Sequence, residues 1–234
     1  MPPFVSTGGG EGEVSDYFAF CVFDRFVKVN VYIDGFNLYY GSLKDTPYKW
    51  LNPLAMCRLL LPNDTISQIK YFTARVAARP SDPDQPIRQN TYFRALETVP
   101  EIEIIEGRFL TKEVMMPLAN SNPKKYVKVI KTEEKGSDVN LAVHLLHDAY
   151  RKNFELAVMV TNDSDLLEPL KIVKYELGLP VGLINPQKHP SFHLKEHATF
   201  IKKLRKGVLA KSSFSESLSD KHGTFHRPSS WESV

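Results

Sequence analysis

Two hydrophobic patterns alternate along the chain. Short apolar runs of strand length stand between longer stretches whose apolar residues recur at helical spacing. The first run, Val27-Lys28-Val29-Asn30-Val31-Tyr32-Ile33, is rich in β-branched residues and ends at Asp34-Gly35-Phe36-Asn37. A helix is expected to begin over 36–43, with Gly35 permitting a tight turn into it. Asn52-Pro53 opens a second helix, Asn52 as N-cap and Pro53 at the first helical position, and it runs to about Leu61. A second strand falls within Ile66 to Val76. A Pro-rich loop, 80–86, then leads into a helix from Ile87 to Leu96. Glu101-Ile102-Glu103-Ile104-Ile105-Glu106 alternates charged and apolar residues at period two, the pattern of an edge strand or of one exposed face.

Residues 108–132 are less regular. Arg108 to Met116 and Lys124 to Lys131 predict a hairpin around the turn-rich 117–123. Val139, Val143, Leu146 and Ala149 then mark a helical stripe, widened by Leu141, Ala142 and Leu145. The run Leu156 to Val160 reads as a buried strand. A polar loop, Thr161-Asn162-Asp163-Ser164-Asp165, follows it, then a helix over 164–177 that tolerates Pro169 only in its first turn. Pro180 to Ile184 is a further strand and Phe192 to Lys203 a final helix. Strand–helix alternation of this kind predicts an α/β fold, a mainly parallel central sheet covered on both faces.

The ends differ from the middle. Residues 1–26 carry Gly8-Gly9-Gly10 and scattered acids and read as a flexible arm. Its aromatic patch, 17–23, is compatible with docking on the domain, with pairing to another chain, or with a start codon placed too far upstream. The segment 205–234 is Ser-rich without periodicity and reads as a disordered tail, which leaves 27–204 as a single domain.

Composition narrows the function classes. Apolar content of 42% and charged content of 24% are ordinary for a folded globular chain. A net charge of +3 is compatible with a polyanionic partner without demanding one. Two cysteines, Cys21 and Cys57, exclude a disulfide framework or a thiolate metal site and point to a reducing, cytoplasmic compartment. No apolar run reaches the ~20 residues of a membrane span, and Asp24-Arg25 interrupts the N-terminal apolar patch, against a signal peptide. There is no Gly-rich phosphate loop, no dinucleotide fingerprint after the first strand and no nucleophile elbow. His144 with His147, and His193 with His197, share helix faces but lack a third zinc ligand, so both pairs read as helix surface or core. Asp148 reads as a surface or packing-edge acid, or less directly as a residue that supports the site from behind.

The chemistry that remains is carboxylate chemistry. Asp34 and Asp163 both follow strands apolar enough to be central, Asp165 lies two residues further on, and Asp138 opens the helix before the Asp163 strand. In a parallel sheet, ligands bind beyond the carboxyl ends of the strands, so all four acids can face one crevice. Each alone also has a structural role: Asp34 or Asn37 can cap a helix, and Asp138 suits a helix dipole. Like charges ~4 Å apart cost about 4 kcal/mol per pair at an effective dielectric near 20. Proton uptake or a cation must relieve that cost, and an all-oxygen donor set selects Mg²⁺ or Mn²⁺. The implied chemistry is metal-assisted phosphodiester hydrolysis, with Asn37 as a neutral ligand or a residue that orients water.

Three segments together resemble the NYN domain family, a branch of the PIN-like nuclease superfamily. They are Tyr32-Ile33-Asp34-Gly35-Phe36-Asn37-Leu38, Lys135-Gly136-Ser137-Asp138-Val139-Asn140-Leu141 and Val160-Thr161-Asn162-Asp163-Ser164-Asp165-Leu166, in the family's order. The resemblance spans about 27–204 and implies a PIN-like, Rossmann-like three-layer fold and a divalent-metal site for cleaving RNA. It places Asp34, Asp138, Asp163 and Asp165 on the family's acidic positions and Asn37 on its paired asparagine. Glu134 lies near the second motif, and Asn162 stands where relatives often carry Gly. Some members of such families have regulatory rather than nucleolytic roles. The alternative is therefore a non-catalytic binding protein that keeps the metal site, and a small-molecule phosphatase would use the same metal logic.

For an RNA substrate, Lys135, Arg75, Arg79 and Lys131 are candidates for phosphate contact, each with a solvated surface charge as the plainer reading. Tyr39, Tyr40 and Trp50 offer stacking faces for unpaired bases, against a plainer reading as core aromatics. A homo-oligomer is compatible with the sequence; a membrane partner is not expected.

Overall fold

The computed structural model describes residues 27–231; the N-terminal arm with its aromatic patch and the last three residues lie outside the described residues. In chain order the strands are β1 (Lys28–Asp34), β2 (Thr65–Thr73), β3 (Ile102–Glu106), β4 (Arg108–Pro117), β5 (Tyr126–Lys135), β6 (Leu156–Val160), β7 (Val181–Asn185) and β8 (Phe200–Lys203). Six of them form one sheet in the order β3-β2-β1-β6-β7-β8, with every pairing parallel. The period-two strand β3 is at the edge, as its alternation predicts.

The helices are α1 (Gly35–Leu38), α2 (Pro53–Leu60), α3 (Gln85–Glu97), α4 (Ser137–Tyr150), α5 (Leu167–Lys171), α6 (Phe192–His197) and α7 (Lys206–Ala210). α1 continues as a π-turn over Tyr39–Leu43 and α5 as another over Ile172–Glu176. Asn52 caps α2 as expected, its side-chain oxygen accepting from the amides of Leu54 and Ala55. Pro169 falls in the first turn of α5, the one place where its missing N–H costs nothing.

Successive residues of the central strands feed opposite cores. Val29, Val31, Ile33, Val158 and Val160 join Trp50, Met56 and Ile69 on one face. Tyr32, Ala157 and Met159 join Phe72, Leu141, Leu145 and Leu170 on the other. This is why β6 is buried at all five positions and reads as an unbroken apolar run.

One further expectation holds and two change. The predicted hairpin forms as β4 paired antiparallel with β5, outside the main sheet. The segment 192–203 is not one helix: α6 ends at His197, and Phe200–Lys203 adds a sixth parallel strand beside β7. The supposed tail is folded from 206 to 231. After α7 it forms a hairpin of β9 (Ser217–Asp220) and β10 (Gly223–His226), then a 3₁₀ turn at Ser229–Trp231. Isolated anchors hold it. Phe214 and Phe225 are buried in the first core, the Trp50 indole donates to Ser215 O at 2.8 Å, and Arg94 grips Asp220 at 2.7 and 2.9 Å.

Asp148 is also not a packing-edge acid. It is 2% exposed and accepts from Lys70 Nζ at 2.6 Å, Tyr32 Oη at 2.7 Å and Asn153 Nδ2 at 3.0 Å. Burial alone would raise its pKa, but these three donors outweigh burial and hold it below the usual carboxylate range. His144, on the same helix, lies 3.3 Å from Lys70 Nζ, and burial and that cation lower its pKa. Breaking one side of such a pair strands a buried charge. Lys70→Met is expected to destabilise the protein by about 3–5 kcal/mol, and Lys70→Met/Asp148→Asn by less than the sum of the two single changes. Urea unfolding of the three variants measures this directly.

Candidate functional site

β1 and β6 are neighbours with Ile33 opposite Val160, so the chain leaves the sheet at Asp34 and at Thr161 side by side. The sheet order reverses between these two strands. Thr161 Oγ1 donates to Asp34 Oδ2 at 3.1 Å and accepts from the Asp163 amide at 3.1 Å. Asp34 Oδ1 accepts from the Asn37 amide at 2.9 Å. Asp34 thus caps α1 and is also one of the acids that converge beyond the sheet.

Gly35 is required for a different reason from the one its position suggested. Its φ is not positive; instead a Cβ there would lie 2.7 Å from Phe72 O and 2.7 Å from Tyr71 Cε1. The glycine lets the turn pass tightly over β2. Gly136, before α4, does adopt a left-handed φ of 100° and turns the hairpin into the helix that carries Asp138. Glu134 ties this corner: its carboxylate accepts from the Ser137 amide at 3.0 Å and from Ser137 Oγ at 2.8 Å.

Asp34, Asp138 and Asp163 each offer a carboxylate oxygen within 4.8 Å of the others; Asp34 is buried and the other two are half-buried. Burial, and then the charges of Asp138 and Asp163, push the Asp34 carboxyl up to about 6, against the hydrogen bonds from Asn37 and Thr161. Burial also raises Asp138, helped by Asp163, Glu134 and Asp165. Unneutralised carboxylates behave in this way, and the all-oxygen donor set fits a hard divalent cation. Asp165 is exposed and outside the three-acid group; its amide donates to Asp163 Oδ1 at 3.0 Å and its charge reaches Asp138.

Asn37 is placed at the cleft, but its amide oxygen already accepts from the Asn162 amide and from Gln187 Nε2, both at 3.1 Å. It braces two loops rather than presenting that oxygen to an ion. Asn162 extends the brace, donating to Gln187 Oε1 and His189 O at 3.1 Å and accepting from the Ser191 amide at 2.6 Å. The sequence reading missed Gln187. Its only signal is its place just past the carboxyl end of β7, the side of the sheet where the acids lie.

The cleft has a volume of about 330 Å³ and is also lined by Phe36, Tyr40, Arg79, Gln85 and Phe109. Of the four basic candidates, Arg79 lines it. Arg75 is bound to Glu106 by Nε and Nη2 at 2.8–3.1 Å. Lys131 and Lys135 pair with Glu133 on the hairpin. Trp50 is core, Tyr39 is partly buried, and Tyr40 is exposed at the cleft mouth, contrary to its core reading. Neither histidine pair is part of the three-acid group.

Compared with known proteins, the chain matches the model of the NYN domain over residues 28–209. It is 33% identical over 187 residues to 6-hydroxy-3-succinoylpyridine 3-monooxygenase HspA of Pseudomonas putida (strain DSM 28022 / S16), a match covering 68% of this chain and 60% of that one. The chain therefore spans 60% of the length of this relative. A crystal structure of a protein of unknown function from Vibrio parahaemolyticus superposes with a TM-score of 0.54 at 14% identity, covering 82% of this chain and 98% of that one, a likeness of fold alone.

The raised Asp34 pKa fixes the sign of a pH effect. Between the ordinary value of 3.8 and about 6, the folded chain binds more protons at this site than the unfolded one. Its contribution to stability is therefore complete below this window and is lost as pH rises through it. In EDTA, Asp34→Asn is expected to melt at a higher temperature than the parent at pH 7 and to lose the parent's fall in Tm between pH 4 and 6. Thermal melts across that range measure both.

Proposed function

The chain belongs to the NYN domain family, and from that membership and the three-acid cleft we propose that it is a divalent-metal-dependent ribonuclease acting on single-stranded RNA. The observation that carries the proposal is the convergence of Asp34, Asp138 and Asp163 within 4.8 Å at the carboxyl ends of adjacent parallel strands. Clustered carboxylates in a cleft, with Asp34 and Asp138 raised in pKa, are a functional-site signal, because a fold gains nothing from unrelieved repulsion.

In this reading Asp34, Asp138 and Asp163 hold Mg²⁺ or Mn²⁺. A bound ion of this type supplies an activated water and stabilises charge on a phosphoryl oxygen. Asp165 and Glu134 add negative potential around the three ligands. Asn37, braced by Gln187, keeps the two acidic loops at a fixed separation, and Thr161 orients the Asp34 carboxylate through its hydroxyl. Arg79 contacts a phosphate of the strand. Lys131 and Lys135 extend a weaker basic track along the hairpin, and Tyr40 offers an exposed ring to a base.

A second reading follows from the Pseudomonas putida relative, whose name describes oxygenation of a hydroxypyridine. Such a reaction would place one atom of O₂ on the ring and release the other as water, using two electrons from an added reductant. Oxygen uptake that depends on both a hydroxypyridine and an added two-electron reductant would support it.

The ribonuclease reading predicts cleavage of a labelled single-stranded RNA with Mn²⁺ or Mg²⁺ and none in EDTA. Asp163→Asn is expected to lower the rate about 10²-fold or more, by analogy with removing one charge-stabilising group. Asp34→Asn/Asp163→Asn should abolish cleavage. Unchanged turnover in either folded variant removes the proposal. Metal-dependent thermal stabilisation without turnover would instead favour the binding-protein alternative.

A further inference from the structure

Beside the acidic cleft lies a second hollow of about 400 Å³, within the range of small-ligand pockets. Its walls are largely aromatic. Phe36, Tyr39 and Tyr40 come from the turn after β1, Tyr92 from α3, and Trp231 from the end of the folded C-terminal segment. The Tyr39 and Tyr40 rings meet edge to face at 5.2 Å, and Trp231 packs on Tyr92 at 6.0 Å and on Trp50 at 6.3 Å. Phe36, Tyr40, Val76 and Gln85 line both this hollow and the acidic cleft. The two therefore share these residues as a common wall, with an acidic compartment on one side and an aromatic one on the other.

We propose that the aromatic hollow receives one nucleobase of the strand whose phosphate lies at the acids. The match is chemical. A base presents two flat π-faces and a polar edge, and the hollow presents aromatic walls with the amide of Gln85 and the ammonium of Lys49 among its lining groups. Arg88 stands on the rim but is held by Asp82 at 2.6 and 2.5 Å, so it is a fixed part of the wall rather than a free cation. A duplex cannot enter such a hollow, since its bases are stacked and their edges paired. An unpaired base joined to a phosphate spans both compartments. The assignment of the ligand to an RNA strand rests on the ribonuclease proposal; the affinity for a planar nitrogen heterocycle does not.

The test is a ligand-observed NMR titration of the full chain in EDTA with uridine, adenosine, ribose and 2-hydroxypyridine. Uridine or adenosine should bind at least about 10-fold more tightly than ribose. Tyr40→Ala, at an exposed position that does not threaten folding, should weaken that binding about 10-fold, the size of one lost stacking face. Trp231→Ala, checked by its melt, should do the same, whereas Asp163→Asn should leave it unchanged. Ribose binding as well as the nucleosides, or full affinity in Tyr40→Ala, overturns the pocket. Tighter binding of 2-hydroxypyridine than of both nucleosides overturns the assignment to a nucleobase. Cleavage assays on the same samples separate the two proposals. Cleavage without base binding sinks the pocket alone, and base binding without cleavage sinks the ribonuclease reading alone.

Discussion

The parallel pairing of Lys28–Asp34 with Leu156–Val160 is the constraint on which the site depends. From β1 the sheet grows outward through β2 and β3, and from β6 it grows the other way through β7 and β8. The helices that follow the two strands accordingly leave for opposite faces. Leu38, after β1, is buried in one core, while Leu166 and Leu170, after β6, are buried in the other. Where neighbouring strands send their chains apart, a crevice opens at their carboxyl ends. Asp34 and Asp163 are the first acids the chain carries past that point on each side. No local sequence preference brings them together; the strand order does.

The sheet holds two buried carboxylates in opposite electrostatic circumstances, and the contrast separates scaffold from chemistry. Asp148 and Asp34 are almost equally inaccessible, at 2% and 4% exposure. Asp148 receives an ammonium, a phenol and an amide, and its pKa falls. Asp34 receives one hydroxyl and one backbone amide, too little to offset its burial and the two carboxylates it faces, and its pKa rises. A compensated buried charge needs nothing further, and it fixes the packing of α4 on the sheet through Lys70 and Tyr32. The uncompensated group lowers its free energy only by taking a proton or a cation. Burial raises both groups; at Asp148 three donors overcome it, whereas at Asp34 two hydrogen bonds do not and the neighbouring carboxylates add to it.

That contrast also explains what could be read in advance. Central parallel strands are buried on both faces, so β1, β2, β6 and β7 announce themselves as apolar runs, and acids just beyond them are visible as ends of runs. Asp34 and Asp163 were visible for this reason, and Asp138 because it opens the helical stripe that precedes β6. Partners brought close only by folding were not. Lys70 and Asp148 lie 78 residues apart, and neither local pattern points to the other. Gln187 sits in a loop with no pattern of its own. The stretch 200–203 is too short, at four residues, to show an alternation distinct from the helix before it. The C-terminal segment is held by Phe214, Phe225 and Trp231, aromatics too widely spaced to register as a helix or strand face, so the packing of Phe214 and Trp231 on Trp50 and Tyr92, and of Phe225 under Arg94, has no local signature.

The poorly legible segments are also the ones that bound the cleft. The hairpin contributes Phe109 and Glu134, and Phe36 meets Phe109 edge to face at 5.6 Å, pinning the hairpin to the Asp34 turn. The irregular 76–85 segment contributes Val76, Arg79 and Gln85, and the C-terminal turn contributes Trp231 to the adjoining aromatic hollow. None of these belongs to the six-stranded sheet. The sheet and α4 therefore set where the charges converge, while segments appended around them set what shape and chemistry can reach those charges. Changes in the appended segments can alter the ligand without moving Asp34, Asp138 or Asp163. Two proteins can thus share this domain and its acids and still differ in substrate, because substrate choice and charge placement are carried by physically separate parts of the chain.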